Sequence, residues 1–149
     1  TSLSMYLSRE YELESLHSNK QFTPSSRYNL TNLFRSMFAL ELENRLKKTS
    51  ISVAVAHPGI TKSRQSRPYE VKKFKKSFYT YFSTNIQTGI APIIQAIEED
   101  NVSAERVYAP KFFGFYGQPA TMQHNKLVYN EELRNKLWTF TANELNLDL

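Results

Sequence analysis

The chain has 149 residues, of which 40% are hydrophobic and 13% aromatic, and its formal net charge is +5. This composition is too apolar for a disordered chain and can supply one core, so we predict one domain or part of one. The absence of cysteine excludes disulfides, thiolate catalysis and Cys-based zinc sites within this chain. No apolar run approaches the roughly 20 residues that span a bilayer, and we expect a cytoplasmic protein.

The first residues give only weak indications of secondary structure. The first clearly predicted element is a helix that carries Tyr28. Thr1–Leu3 can end a strand, and 4–24 is predicted to be mostly loop, with one helical turn around 10–16. From Tyr28 onward, apolar residues recur at the three- and four-residue steps of a helix with one buried face. These residues are Leu30, Leu33, Phe34, Met37, Phe38 and Leu42. Pro24, Ser25 and Ser26 supply a helix start.

A short β-branched run follows this helix. Ile51–Ala56 is typical of a strand buried on both faces of a parallel sheet. His57–Pro58–Gly59 ends the strand, since proline cannot donate to a ladder and glycine permits a sharp turn. We interpret His57 as a strand-end residue satisfied by hydrogen bonds. No metal site is predicted, because the three histidines are far apart in sequence and have no paired spacing.

The segment 62–76 is strongly basic, with seven lysines and arginines against Glu70 alone. Phe74, Phe78 and Phe82 follow at four-residue steps, which predicts a helix over about 71–83. Lysines interleaved with aromatic residues can bind nucleic acid, because they neutralise phosphates and stack bases. A solvated helix face with a buried aromatic stripe explains the same pattern, and we expect no nucleic-acid partner.

Two more helices and one strand complete the predicted elements. A helix over 85–99 has an isoleucine face that Gly89 and Pro92 interrupt. Arg106–Tyr108 is predicted to be a short strand, and Pro110–Pro119 a loop. A final helix spans 130–145, with Asn130 as a suitable N-cap and Leu137–Trp138 on its buried side.

The order of Tyr28, Asn32, Phe38–Leu42 and Val55–Gly59 resembles the catalytic helix and following strand of the short-chain dehydrogenase/reductase family. The resemblance is closest to the family's branch of retinol-dehydrogenase-like and bacterial oxidoreductases. Leu137–Trp138 also resembles part of the final helix of that branch. It implies an α/β fold: a Rossmann-like, doubly wound parallel sheet with helices on both faces. No glycine-rich phosphate-binding turn occurs, so residues 1–149 are expected to be the C-terminal half of one such domain, with the nucleotide-binding half outside this chain. A homo-oligomer through the Tyr28 helix would agree with the family.

The resemblance also assigns catalytic roles. Tyr28 matches the family's acid/base and Ser2 matches the serine that hydrogen-bonds the substrate carbonyl. The lysine that normally follows the tyrosine by four residues stabilises a phenolate, but Asn32 stands there and carries no charge. Arg35, seven residues after Tyr28, returns to nearly the same helix face and is a candidate substitute.

The implied cofactor is NAD or NADP. Tyr28 and Asn32 match its ribose contacts, Ser63 matches the hydroxyl that meets the nicotinamide carboxamide, and Pro58 and Gly59 shape the turn between them. The implied reaction interconverts an alcohol and a carbonyl on a small, largely apolar substrate, with activity impaired by Asn32. Two alternatives remain open: a noncatalytic member that kept the fold for binding or assembly, and a basic nucleic-acid-binding module.

Overall fold

The computed structural model describes residues 1–9, 23–61 and 83–147. Three α-helices lie in these ranges: α1 (Pro24–Leu46), α2 (Ile86–Glu98) and α3 (Glu131–Leu145). The strands are β1 (Val55–Ala56), β2 (Arg106–Phe112) and β3 (Tyr116–Gln123), and two 3-10 helices span Leu3–Leu7 and Lys126–Tyr129.

All three helices begin at a side-chain cap. Thr23 accepts from the amide of Ser26, and Pro24 occupies the first turn of α1, where its missing N–H costs nothing. Asn85 and Asn130 cap α2 and α3 in the same way. The helices predicted around Tyr28, over 85–99 and over 130–145 are therefore confirmed. Pro92 lies inside α2 without ending it.

The sheet has the order β1-β2-β3 and is mixed. β1 pairs with β2 in parallel, with Val55 opposite Val107, whereas β2 pairs with β3 antiparallel. The expectation of a purely parallel sheet is therefore wrong for the described part. The predicted strand Ile51–Ala56 is shorter in the structure, where β1 spans only Val55–Ala56. Ile51 lies outside the strand: it is largely exposed, and its amide donates to the Thr49 hydroxyl (3.2 Å).

The predicted loop Pro110–Pro119 is a hairpin instead. Pro110 and Pro119 face each other in the β2–β3 register. Since neither has an N–H, they suit a pair of residues that exchange no ladder hydrogen bond. The prolines thus cost the hairpin nothing, although in sequence they suggest a break.

A helix covers each face of the sheet. Val107 and Ala109 share a core with Leu33 and Met37 of α1. Tyr108, between them, lies on the opposite face because side chains alternate along a strand. There it approaches Glu99, which follows α2; burial, and then this carboxylate, raise the pKa of the Tyr108 phenol. The described chain is thus α/β, with the sheet between α1 and α2.

Several predictions fall outside the described residues. These are the helical turn around 10–16, the basic segment 62–76, the helix over 71–83 and Ser63. Among the helices that are described, none is long and apolar enough to cross a membrane.

Candidate active site

Of the predicted site residues that the structure describes, Ser2, Pro58 and Gly59 lie near the carboxyl end of β1. β1 ends at Ala56, and the turn Pro58–Gly59 follows it. The backbone nitrogen of Thr1 donates to the carbonyl of Ala56 (3.1 Å), which places Ser2 beside the same strand end. Carboxyl ends of parallel strands are where open α/β sheets commonly bind ligands.

Ser2 caps the 3-10 helix Leu3–Leu7. Its hydroxyl accepts from the amide of Ser4 (3.3 Å), and its carbonyl accepts from the amide of Met5 (3.1 Å). Because a serine hydroxyl also has a hydrogen of its own to donate, the cap leaves Ser2 able to bind a carbonyl oxygen.

Asn32 joins this turn to the helix that carries Tyr28. Its side-chain amide donates to the carbonyl of Tyr28 (2.9 Å) and to the hydroxyl of Ser4 (3.3 Å). An asparagine amide has two hydrogens, so both are used within the protein. The residue is only 1% exposed. Asn32 therefore holds the Ser2 turn against α1 and presents no cation to a tyrosine.

Tyr28 lies on the second turn of α1 with 53% of its surface exposed. The candidate substitute cation, Arg35, is exposed on the same helix. Seven residues correspond to about 10 Å along a helix axis, against about 6 Å for position 32. Arg35 is therefore a poorer stabiliser of a Tyr28 phenolate than a lysine at position 32 would be.

A buried polar cluster behind Ser2 was not predicted. The hydroxyls of Thr1 and Ser36 are 3.1 Å apart, and the Thr1 hydroxyl donates to the carbonyl of Asn32 (3.1 Å). Ser36 also donates to the sulfur of Met5 (3.3 Å). The only sequence signal was a small polar residue on the apolar stripe of α1. The cluster fixes the backbone on both sides of Ser2.

Gly59 sits in a turn that a larger residue would disrupt. Its φ is +76°, and a Cβ there would lie 2.6 Å from the carbonyl oxygen of Phe115. The amide of Ile60 donates to that same oxygen (3.4 Å). Pro58–Gly59 is thus held against the tip of the β2–β3 hairpin.

His57 precedes this turn and is buried. Its amide donates to the carbonyl of Tyr108 (2.7 Å), but neither ring nitrogen has a hydrogen-bond partner among the described residues. The expectation that hydrogen bonds satisfy His57 is therefore confirmed for its backbone amide only; the backbone groups of Thr1 and Gly114 lie near the ring without a well-formed hydrogen bond. Burial lowers the pKa of His57 to about 4, and the nearby backbone groups of Thr1 and Gly114 only partly oppose that shift.

Comparisons with known proteins agree with this arrangement at a coarse level. No family model matches the chain. It is 26% identical over 142 residues to retinol dehydrogenase 14 of Mus musculus, an alignment that covers 92% of this chain and 40% of that relative. The chain is thus distantly similar to a retinol dehydrogenase.

The fold is also similar to that of a solved protein. The crystal structure of an uncharacterised protein from Mycobacterium paratuberculosis superposes with a TM-score of 0.74 at 18% identity, over 99% of this chain and 49% of that one. The chain thus spans less than half the length of both proteins.

Proposed function

We propose that this chain is the C-terminal half of an NAD(P)-dependent short-chain dehydrogenase/reductase that acts slowly on a largely apolar carbonyl or alcohol. The observation that carries the proposal is the Asn32 bridge. It joins the Ser2 turn to the Tyr28 turn of α1 through the hydroxyl of Ser4 and the carbonyl of Tyr28. The similarity to retinol dehydrogenase 14, which covers 92% of this chain, supports the proposal.

The described residues fit a nicotinamide only in part. The turn at Gly59 brings the backbone to the carboxyl edge, and the phenol of Tyr28 is accessible. The amide hydrogens of Asn32, however, are already used by the protein. When bound, the nicotinamide supplies or accepts a hydride. Ser2 then donates a hydrogen bond to the carbonyl oxygen, and Tyr28 gives it a proton.

The neutral residue at position 32 affects the rate of proton transfer at Tyr28. Reduction needs a protonated phenol, whereas alcohol oxidation needs a phenolate as base. Without a cation one turn along the helix, no charge at position 32 stabilises a Tyr28 phenolate. Because both directions pass through the same transition state, the missing charge should slow reduction and oxidation alike.

Two observations support a second half of the domain outside this chain: the greater length of the similar proteins and the exposed apolar face of α2. The chain covers 40% of its relative and 49% of the solved protein. The outer face of α2 is apolar and exposed, which is typical of a surface that another part of a protein covers. Its residues are Ile86, Ile90, Ile93, Ile94 and Ile97. The remaining half would cover this face and bind the dinucleotide phosphates.

The test uses the full-length protein and the oxidation of NADPH or NADH by short aldehydes. Turnover should be slow, and Tyr28→Phe should lower it at least about 100-fold, because a positioned proton donor is worth that much. Asn32→Lys should raise turnover about tenfold. Asn32→Gln is the matched control, since it changes size without adding charge. Equal turnover by the wild type and Tyr28→Phe would refute the assignment of Tyr28.

The noncatalytic alternative rests on one specific observation, the use of both Asn32 hydrogens inside the protein. It predicts that NADPH binds, as measured by quenching of protein fluorescence, without turnover in the wild type or in Asn32→Lys. Binding with no turnover in either protein would favour a protein that kept the fold for binding or assembly.

A further inference from the structure

The β2–β3 hairpin ends in a tight turn with an unusual residue. The amide of Phe115 donates to the carbonyl of Phe112 (2.9 Å), and the two residues between them both have positive φ, +53° at Phe113 and +72° at Gly114. This is the pattern of a type I′ turn, in which the first central position favours Asn, Asp or Gly. A bulky residue with positive φ is an outlier that calls for a reason.

Burial within the described part of the chain does not supply that reason. The Phe113 ring is 82% exposed. Its neighbour Phe112, in contrast, stacks on Tyr116 with ring centroids 5.2 Å apart. Phe113 thus combines a strained backbone with an apolar ring that the described residues leave in water, and both features are unfavourable in this chain alone.

The position of the turn indicates what covers the ring. A Cβ on Gly114 would lie 2.7 Å from Cδ2 of Leu3, the residue after Ser2. The carbonyl of Phe115 meets the turn at Gly59. The hairpin tip therefore lies between the Ser2 turn and the Gly59 turn, on the edge of the sheet where the substrate would react.

We propose that Phe113 is a specificity-determining residue, whose ring forms an apolar wall against the tail of a carbonyl substrate held at Ser2 and Tyr28. This inference rests on the proposed function. A bound apolar tail would cover the ring and so offset its exposure and strain. The hairpin contacts at Leu3 and Gly59 fix the distance between that wall and the reacting carbonyl.

The test measures kcat/KM of the full-length protein for straight-chain aldehydes from butanal to decanal, with NADPH. In Phe113→Asn, the ratio of kcat/KM for decanal to that for butanal should fall about tenfold, because each buried methylene adds to binding. Phe113→Leu should keep most of the wild-type ratio. Ile51→Asn is the matched control: its side chain is 61% exposed, but it lies ahead of the amino end of β1, away from the reacting edge.

If Phe113 affected only the stability of the turn, Phe113→Asn would change Tm and leave the decanal-to-butanal ratio as it is in the wild type. Since Asn tolerates positive φ, Phe113→Asn should raise Tm by roughly 2–4 °C while it weakens chain-length preference. An unchanged decanal-to-butanal ratio, or one lowered equally by Ile51→Asn, would overturn the proposal.

If no aldehyde is turned over, the proposed function fails but Phe113 can still be tested. Calorimetric titration with 1-decanol should then show about tenfold weaker binding to Phe113→Asn than to the wild type. Equal affinity, or no binding by either protein, would overturn the proposal.

Discussion

Mild acid should destabilise this fold through the buried imidazole of His57. The ring is 5% exposed, and neither of its nitrogens has a hydrogen-bond partner among the described residues. Burial, the largest cause, lowers its pKa from 6.5 to about 4. The unfolded chain therefore takes up a proton well before the folded chain does. The stability that the neutral ring contributes is present above pH 6.5 and is lost as the pH falls toward 4.

The size of the effect follows from those two pKa values. Between pH 7 and pH 5, the unfolded state becomes almost fully protonated at His57 while the folded state remains about 90% neutral. Integration over this interval gives a loss of about 2 kcal/mol in the free energy of unfolding. Most carboxylates remain ionised down to pH 5, so the interval separates the histidine from acid unfolding in general.

Urea unfolding of the full-length protein at several pH values between 5 and 7 measures this loss. His57→Gln should be less stable at pH 7 but should lose about 2 kcal/mol less on acidification. His124→Gln should also reduce the loss on acidification, because His124 is also buried and its pKa is also lowered, chiefly by burial. Its ring nitrogen Nε2 is 2.9 Å from the Ala104 carbonyl. An identical pH dependence in the wild type and His57→Gln would show that the ring is protonated in the folded state or accessible to water.

Two further substitutions test the packing around the site and behind it. Gly59→Ala should lower the free energy of unfolding by about 1–3 kcal/mol, since φ is positive and a Cβ would meet Phe115; an urea midpoint equal to that of the wild type would contradict this geometry. Glu41→Gln should cost about 3–5 kcal/mol by leaving buried Arg134 without the carboxylate 3.4 Å away. The double variant Glu41→Leu, Arg134→Met should regain most of that loss, and additive losses would argue that the pair is not coupled.

The sequence predicted the helices well because their signals are local. The apolar period of α1 and the caps at Asn85 and Asn130 lie within one or two turns of the residues they control. The β2–β3 hairpin was missed because Pro110 and Pro119 are breakers when considered one at a time. Both prolines fit the hairpin because they face each other. The register of the two strands determines this pairing, and the composition of the segment does not reveal it.

In the candidate site, too, the sequence predicted local relations and not contacts between distant residues. That Tyr28 and position 32 share a helix face follows from spacing alone. The roles of Ser4 and Ser36 could not be derived, because their partners are 28 and 31 residues away in sequence. The orphaned ring of His57 was unpredictable for a similar reason: a histidine after a strand gives no indication of what surrounds it.

Under the proposed function, stability and catalysis make opposite demands on position 32. Its amide ties Ser4 to the Tyr28 turn from a site with 1% exposure. Lysine there would restore a cation but would lose the amide's fixed geometry and place a charge where little water reaches. Asn32→Lys should therefore raise turnover and lower the free energy of unfolding together, by about 1–3 kcal/mol for the latter. Asn32→Leu should lose similar stability with no gain in turnover, because it breaks the same bonds without adding charge. A lysine variant with undiminished stability would mean that the Ser2 turn does not depend on this bridge, and the geometry assigned to Ser2 and Tyr28 would lose its support.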